Sequence, residues 1–292
     1  DFARNAFALN GHASAMKAGL ETSDMLSTVS RRYAYEIQTA EYGYGLEWLT
    51  RQRANRLIGI TNGVDFEVWN PATDPELPAH YDINDMSGKA ECKRQLLERF
   101  GLPQDLERPG IAIVTRLTGQ KGIELIQQAA GDILATGAFF IALGSGEKQY
   151  ETFLQRLRDH APRQVGVYVG YSEPLAHQIE AGADIFLMPS RFEPCGLNQM
   201  YSLRYGTIPV VRAVGGLDDT VENFDAVTGR GNGFKFGPFR ADRFVERIYE
   251  ALYAYADPST REVIRRNGMS IDNSWENAAR KYVDLYRLTL SN

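Results

Sequence analysis

The stretch DIFLMPSRFEPCGLNQ (Asp184–Gln199) decides the fold, because an apolar run leads directly into a loop that carries an acid and a glycine. The run IFLM has no polar alternation, as expected of a strand buried on both faces of a parallel sheet. The residues after such a strand emerge at its carboxyl end, where open α/β sheets bind their ligands. We therefore expect Glu193 and Gly196 at a ligand-binding edge, where a glycine lets phosphate oxygens reach backbone N–H groups.

The same alternation continues on both sides of that stretch. The apolar segments IAIVT, AFFIALG, VGVYVG and TIPVV alternate with segments of helical periodicity such as IELIQQAAGDIL and KQYETFLQRLRDHA. Repeated strand–helix–strand units predict a doubly wound parallel sheet, so the predicted fold class is α/β. Three amphipathic segments after Gly237 are predicted to be helices, the last with Asn273 or Ser274 as its N-cap.

The sequence before Ile111 lacks the regular alternation of apolar strands and amphipathic helices. It predicts helices around SAMKAGLETSD and LEWLTRQRA and strands at MLSTVS and RLIGITN. The segment from Pro71 to Gly88 is rich in Pro, Asp and Asn and is predicted to be a surface loop. Residues 1–57 look like the tail of a preceding domain, and the chain begins at Asp1 rather than methionine, so we expect it to be part of a longer protein.

Composition argues against several classes of function. The net charge of −5, from 32 basic and 37 acidic residues, is evenly spread and leaves no basic stripe for nucleic acid. Cys92 and Cys195 are far apart and lack zinc-ligand spacing, which favours a reducing compartment. No run approaches the roughly 18 apolar residues of a membrane helix, and no signal-peptide pattern is visible. We expect a cytoplasmic protein that binds neither nucleic acid nor membrane.

Three loops should meet at the carboxyl edge of the sheet, because each follows a predicted strand directly. They are TRLTGQKG (115–122), VGYSEP (169–174) and RFEPCGLNQ (191–199). Arg116 and Lys121 flank a glycine-containing turn, which would let a guanidinium and an ammonium converge on one anion, such as a diphosphate leaving group. The alternative is that both residues are solvated surface cations.

Glu193, Tyr171 and Cys195 each allow two interpretations. Glu193 could hydrogen-bond a sugar hydroxyl or stabilise developing positive charge, or it could be an acid favoured by a helix dipole. Tyr171 could stack on a flat base, or it could be an ordinary loop aromatic. A nucleophilic Cys195 would need a histidine base, and none of the four histidines lies in a glycine-rich loop after a strand.

Longer motifs across nearly the whole chain resemble one family. They are KAGLETSD, VSRRYAYEI, NGVDFEVWNP, TRLTGQKG and SRFEPCGLNQMYSLRYGTIPVVRAVGGLDDTV. Together they closely resemble the bacterial glycogen synthase and starch synthase family. The resemblance implies a GT-B fold, in which two Rossmann-like domains face each other and the C-terminal one binds the nucleotide-sugar. It also implies retaining glucosyl transfer from ADP-glucose to the non-reducing end of an α-1,4-glucan, with no metal or other cofactor.

The resemblance further implies roles for single residues. Arg116 and Lys121 match the pair that neutralises the departing diphosphate, and Glu193 matches the acid against the donor glucose. The positions implied to bind substrate are Asn62, Gly170, Tyr171, Cys195, Gly196, Leu197, Tyr201, Gly215 and Gly216.

Within that set, several positions have a specific implied contact. The backbone of residues 195–197 matches a phosphate cradle, Tyr171 matches the residue beneath the base, and Asn62 matches a polar residue near the transferred sugar. Gly215 and Gly216 match the glycines of the family's Thr-Gly-Gly motif. Tyr201 stands where related sucrose synthases carry a second glutamate, so this sequence resembles the glucan synthases more.

The resemblance implies three parts and a set of partners. Residues 1–57 would be a remnant of the acceptor domain, 58–273 the nucleotide-sugar-binding domain and 274–292 a helix closing back towards the first domain. The partners would be ADP-glucose or ADP, an α-1,4-glucan and the preceding domain, and the isolated chain should be inactive. Two alternatives stay open: a nucleotide- or glucan-binding module without turnover, and a GT-B transferase with another donor.

Overall fold

The computed structural model describes residues 7–9 and 11–291. The strands are β1 (Ala8–Leu9), β2 (His12–Ala13), β3 (Leu26–Thr28), β4 (Leu57–Gly59), β5 (Gly110–Val114), β6 (Phe139–Gly144), β7 (Val165–Val169), β8 (Ile185–Met188), β9 (Ile208–Arg212) and β10 (Phe234–Phe236). The helices are α1 (Ala15–Thr22), α2 (Arg31–Glu36), α3 (Glu47–Gln52), α4 (Ser87–Arg99), α5 (Ile123–Ala135), α6 (Lys148–His160), α7 (Glu173–Gly182), α8 (Asn198–Arg204), α9 (Gly215–Thr220), α10 (Ala241–Ala256), α11 (Pro258–Met269) and α12 (Trp275–Leu290).

Strands β5 to β10 form one parallel sheet in the order β10–β9–β8–β5–β6–β7. The chain runs outward from β5 to β7 and then returns to place β8 on the other side of β5. The direction of winding therefore reverses between β5 and β8, and such a switch point opens a crevice at the carboxyl ends of the two strands. The predicted doubly wound α/β sheet is confirmed, whereas the edge strand β10 was not predicted.

Both faces of this sheet are covered, which explains why its strands lack polar alternation. On one face Ile111 and Phe140 pack with apolar residues of α5, α6 and α10. On the other face Ala112 and Ile141 pack with apolar residues of α4 and α7. Because neighbouring residues of a strand point to opposite faces, each central strand must be apolar at every position.

The segment between Pro71 and Gly88 corrects a prediction. It is irregular up to the start of α4, as expected, but it is not confined to the surface, since Asp74, Leu77 and Tyr81 are buried. The Asp74 carboxylate accepts a hydrogen bond from the Tyr205 hydroxyl at 2.5 Å, and the Tyr81 hydroxyl donates to the Tyr205 carbonyl at 2.9 Å. The polar composition of the loop therefore reflects buried partners as well as exposure to water.

The part of the chain before β5 is joined to the sheet domain by two helices that cap each other. The Asp219 carboxylate, on α9, accepts from the backbone N–H groups of Arg31 at 2.6 Å and Arg32 at 3.2 Å. In return, the Glu36 carboxylate on α2 accepts from the N–H of Gly215 at 3.1 and 3.2 Å. Burial raises the pKa of Glu36, and these N–H contacts only partly offset that effect. Helix α2, which was not predicted, is thus tied to α9.

Helix α12 begins as predicted, with Ser274 as its N-cap. Within its apolar stripe Ala278 and Leu285 are buried. Trp275 and Tyr286 are 47% and 63% exposed, so the described residues cover the stripe only in part. Within residues 7–9 and 11–291, no helix combines the length and the apolar character needed to cross a membrane.

Candidate active site

A cavity of about 490 Å³ lies at the carboxyl ends of β5 and β8, where the winding of the sheet reverses. A larger cavity of about 790 Å³ beside α12 contains none of the predicted site residues in its lining. The walls of the smaller cavity come from the loop after β5, the loop after β8 and a segment after β4. It brings together the predicted residues Asn62, Arg116, Lys121, Glu193, Cys195, Gly196 and Leu197.

Glu193 is held by donors from two sides. Its side chain is buried, and its Oε2 accepts from Lys121 Nζ at 2.5 Å and from Ser190 Oγ at 3.2 Å. Charge-assisted contacts of this length fix the orientation of a carboxylate. Lys121 and Glu193 were each predicted as site residues, but their contact was not predicted, and Ser190 carried no signal that singled it out.

Arg116 is the exposed guanidinium of the cavity, and one of its nitrogens donates to Gln120 Oε1 at 3.3 Å. Arg191, in the other loop, instead pairs with Glu124 and lies over the Phe239 ring at 4.1 Å. A guanidinium has five N–H donors, so Arg116 retains capacity for an anion beyond its contact with Gln120. Of these two arginines, Arg116 is the one in the lining of the cavity.

The loop of residues 195–197 forms one wall of the cavity. Gly196 has a φ of 73°, a left-handed conformation that favours glycine. Burial raises the pKa of the Cys195 thiol to about 11, and the backbone N–H of Asn62 opposes this shift. The thiol therefore keeps its proton at neutral pH, which argues against a nucleophilic cysteine.

Gly170 and Tyr171 lie at the carboxyl edge of the sheet but outside the lining of this cavity. Gly170 follows β7, and its N–H donates to the Gly144 carbonyl at 2.9 Å. Tyr171 is 83% exposed, and its hydroxyl donates to Glu173 at 3.3 Å. A contact between Tyr171 and a base stays a prediction.

Tyr201 lies in an aromatic stack and not in the lining of this cavity, so its contact with substrate stays a prediction. Its ring stacks on Trp69 at 3.8 Å between centroids, and the other face of Trp69 stacks on His177 at 3.7 Å. His177 is in turn fixed by a 2.7 Å hydrogen bond to Asp74. Burial raises the pKa of Tyr201 to about 12. The side of α8 that carries Tyr201 is therefore covered by the segment that contains Trp69 and by the loop of residues 71–86.

Gly215 and Gly216 support the loop from behind and do not line the cavity. The N–H of Gly216 donates to the carbonyls of Glu193 at 3.2 Å and Pro194 at 3.1 Å. A Cβ on Gly215 would collide with the Glu193 carbonyl, so only glycine allows this approach. The N–H of Gly215 donates to Glu36, and the predicted role of Gly215 and Gly216 in substrate binding stays a prediction.

Over the described ranges, 7–9 and 11–291, no group of three or more His, Cys, Asp or Glu side chains is arranged to hold a metal ion. The charged groups in the lining of the 490 Å³ cavity are instead Arg116, Lys121 and Glu193.

Comparisons with known proteins point to one group of enzymes. Residues 95–270 match the family model described as glycosyl transferases group 1, and residues 1–52 match that described as starch synthase catalytic domain. Glycogen synthases of Myxococcus xanthus and Koribacter versatilis are 52% and 48% identical to this chain over 93% and 94% of its length. The catalytic domain of starch synthase IV from Arabidopsis thaliana, solved with ADP and acarbose, superposes with a TM-score of 0.91 at 36% identity, covering 98% of this chain and 60% of that one.

A doubly wound sheet with a cavity at its switch point, together with this superposition, defines the GT-B class of glycosyltransferases. The first family model covers more than half of the chain, so the protein belongs to the glycosyl transferases group 1 family. Its relatives include bacterial glycogen synthases, as the motif resemblance predicted. The alignments cover only 56% and 57% of those two synthases, so the chain spans about half the length of the curated relatives it matches.

Proposed function

We propose that this chain forms the donor-binding half of a cytoplasmic glycogen synthase, which transfers glucose from ADP-glucose to the non-reducing end of an α-1,4-glucan with retention. The observation that carries the proposal is the 490 Å³ cavity, which combines two cations, a fixed carboxylate and a glycine loop. The names of the relatives support the same activity, and the related starch synthase was solved with ADP and acarbose.

In this proposal the donor diphosphate lies between the two cations, Arg116 and Lys121, and the loop of residues 195–197. When the bond between glucose C1 and the phosphate oxygen breaks, the leaving ADP gains negative charge, and the cations stabilise it. The 4-hydroxyl of the acceptor glucan forms the new bond to C1, and its proton leaves with the diphosphate. A preceding domain would hold the acceptor against the donor.

Glu193 is proposed to lie against the glucose, where positive charge develops on C1 and the ring oxygen as the bond breaks. Its partner Lys121 has three N–H donors, so one ammonium can hold the carboxylate and still meet a phosphate oxygen. Lys121 would therefore hold the Glu193 carboxylate at a fixed distance from the phosphate oxygen that Lys121 itself contacts.

We also propose that the chain's own cations, rather than a bound metal, neutralise the diphosphate. This rests on the presence of Arg116 and Lys121 in one cavity wall. Treating the complete enzyme with EDTA should then leave its rate unchanged. A rate that falls with EDTA and returns on addition of Mg²⁺ or Mn²⁺ would contradict this part of the proposal.

A thermal-shift series tests donor binding directly on the 292-residue chain. A ligand that binds the folded state raises its melting temperature in a concentration-dependent way, so ADP should stabilise the chain. We expect ADP to have a larger effect than UDP or GDP, and the Lys121→Ala variant to lose most of the ADP effect. Equal shifts in the parent and in Lys121→Ala would place nucleotide binding outside this cavity.

A further inference from the structure

Gln199 is a fully buried side chain beneath the 195–197 loop. Its Nε2 donates to the backbone carbonyls of Cys195 and Gly196, at 3.1 Å each. Because both partners are carbonyl oxygens, the amide must turn its NH2 group towards the loop. Its Oε1 has no hydrogen-bond partner among the described residues, so the NH2 group makes all of its polar contacts.

The same amide also reaches helix α9. Gln199 Nε2 lies 3.2 Å from Thr220 Oγ1, which itself donates to the Gly216 carbonyl at 2.6 Å. One side chain therefore joins the loop to the helix that supports it from behind. The loop and the Gln199 side chain are in close contact, because a Cβ on Gly196 would collide with Gln199 Oε1.

The two carbonyls that Gln199 holds determine where two N–H groups point. In a planar trans peptide the C=O and the N–H point in opposite directions. The Cys195 carbonyl shares its peptide with the Gly196 N–H, and the Gly196 carbonyl shares its peptide with the Leu197 N–H. Drawing both carbonyls inward towards Gln199 therefore turns both N–H groups outward, to the side on which Gly196 and Leu197 line the cavity.

The N–H groups of Gly196 and Leu197 are also available. Among the hydrogen bonds made within residues 7–9 and 11–291, neither group has an acceptor. Backbone donors without an internal partner, aimed into a cavity beside two cations, are suited to an anion.

We infer that Gln199 is a positioning residue that aims the Gly196 and Leu197 amides at the phosphates of the donor. The inference rests on the proposed function for the identity of the anion, whereas the geometry of the loop is independent of it. Gln199 itself does not line the cavity and would act only through the backbone of the loop.

Two substitutions test this, with a matched control in the same helix. Gln199→Met keeps the length of the side chain without its donors, and Gln199→Glu replaces the donor with a carboxylate that repels both carbonyls. Ser202→Ala is the control: Ser202 is equally buried in α8 and also loses two hydrogen bonds, to Glu180 at 2.8 Å and to the Asn198 carbonyl at 2.8 Å. The control changes a different face of the helix.

The first measurement is ADP affinity by calorimetry. We expect Gln199→Met to raise the Kd for ADP about tenfold and Gln199→Glu to raise it further, because each misaligned amide is a lost donor to a charged group. Ser202→Ala should leave the Kd unchanged even if it lowers the melting temperature. If Gln199→Met and Ser202→Ala change the Kd equally, the positioning role is wrong.

The second measurement needs no ligand. Cys195 and Cys92 are the two cysteines of the chain, and both are buried. Releasing the loop should speed modification of Cys195 by a thiol reagent, measured peptide by peptide by mass spectrometry, while Cys92 serves as the internal control. If the parent chain fails to bind ADP, the proposed function fails. The role of Gln199 is then judged by this rate alone, and an unchanged Cys195 rate in Gln199→Met would overturn it.

Discussion

Glu193 faces the cavity from a fixed position, and its substitution should separate catalysis from binding. In an enzyme that contains both halves, we expect Glu193→Ala to lower kcat far more than it weakens donor binding, because a group acting on developing charge matters mainly in the transition state. Steady-state kinetics with ADP-glucose and glycogen measure this. An unchanged kcat with a raised KM would assign Glu193 to ground-state binding only.

Arg116 and Lys121 are expected to act on the same anion from one wall of the cavity. Lys121→Ala and Arg116→Ala should each lower the rate by about 10²–10³-fold, the usual effect of deleting one preorganised donor to a forming anion. The double variant should lose less than the product of the two, because the cations share one target. Arg191→Ala serves as the control, since Arg191 pairs with Glu124 instead. Near-normal rates for both single variants would make Arg116 and Lys121 surface cations.

Glu180 offers a prediction about pH. Burial raises its pKa to about 8, while Ser202 and Lys89 oppose the shift, so the folded protein binds a proton that the unfolded chain releases above about pH 4.3. This contribution to stability is complete below that pH and is lost as pH rises towards 8, by at most about 1.4 kcal/mol per pH unit. Burial lowers the pKa of Lys89 to about 7, so Lys89 begins to lose its charge in the folded protein near that pH, and the comparison is best made between pH 5 and pH 6.

The uncharged variant Glu180→Gln should therefore gain stability relative to the parent between pH 5 and pH 6. Urea denaturation at the two pH values gives the difference in the free energy of unfolding. Glu91→Gln is the control, because Glu91 is a partly exposed carboxylate of α4 whose pKa is lowered by its hydrogen bond with Arg94, so it stays ionised across this range. A parent-to-variant difference that is the same at both pH values would show that Glu180 does not take up a proton on folding.

At the residue scale, the sequence predicted those site residues that follow a strand directly. Arg116, Lys121 and Glu193 lie in loops after β5 and β8, and the direction of a parallel strand is enough to bring such loops to one edge. It did not predict Gln199 or Glu36, because their roles depend on distant backbone groups. Glu36 meets an N–H 179 positions away, and no periodicity records such a contact.

At the scale of elements, the mutual caps of α2 and α9 make a measurable contribution. We expect Asp219→Ala to lower the free energy of unfolding by about 1 kcal/mol, because it removes the acceptor for two N–H groups at the start of α2. Chemical denaturation of the 292-residue chain measures it. The control Asp284→Ala breaks only an exposed pair with Arg287 and should leave stability unchanged. Equal effects of the two substitutions would remove Asp219 from the cap.

Elements with strong periodicity were predictable, whereas short ones held by tertiary contacts were not. The buried strands β5 to β9 and the long helices α6, α10 and α12 appear where the apolar pattern placed them. Helix α2 has six residues, and its start is capped locally by the Ser30 hydroxyl and also by the Asp219 carboxylate of α9. Strand β10 has three residues and gains its conformation from pairing with β9. The Ser30 cap could have been read from the sequence, but the contact with Asp219 and the pairing with β9 could not.

At the scale of the whole molecule, we predict that the 292-residue chain binds a nucleoside diphosphate yet does not elongate glucan. The donor cavity is built within the chain, so nucleotide affinity should lie in the micromolar to millimolar range, about −8 to −4 kcal/mol. Orienting donor against acceptor can supply roughly 7–11 kcal/mol of a barrier, and that contribution needs the second wall of a cleft.

Incubation of the purified chain with labelled ADP-glucose and glycogen checks this, with a complete synthase as the positive control. Incorporation by the chain at a rate near that of the complete enzyme would show that the second wall is dispensable. Failure to bind any nucleoside diphosphate would instead contradict the first half of the prediction.

Helices α2 and α9 each supply a carboxylate that accepts hydrogen bonds at the start of the other helix. These contacts bear on how such an enzyme could be produced as two separate polypeptides. A junction after residue 57 would put Glu36 on one product and Gly215 on the other, so a buried contact would have to form anew each time the products met. It would also cut through β4, which pairs with β3. A junction before Leu26 keeps both contacts within one polypeptide, and coexpressed halves divided there should reassemble more readily.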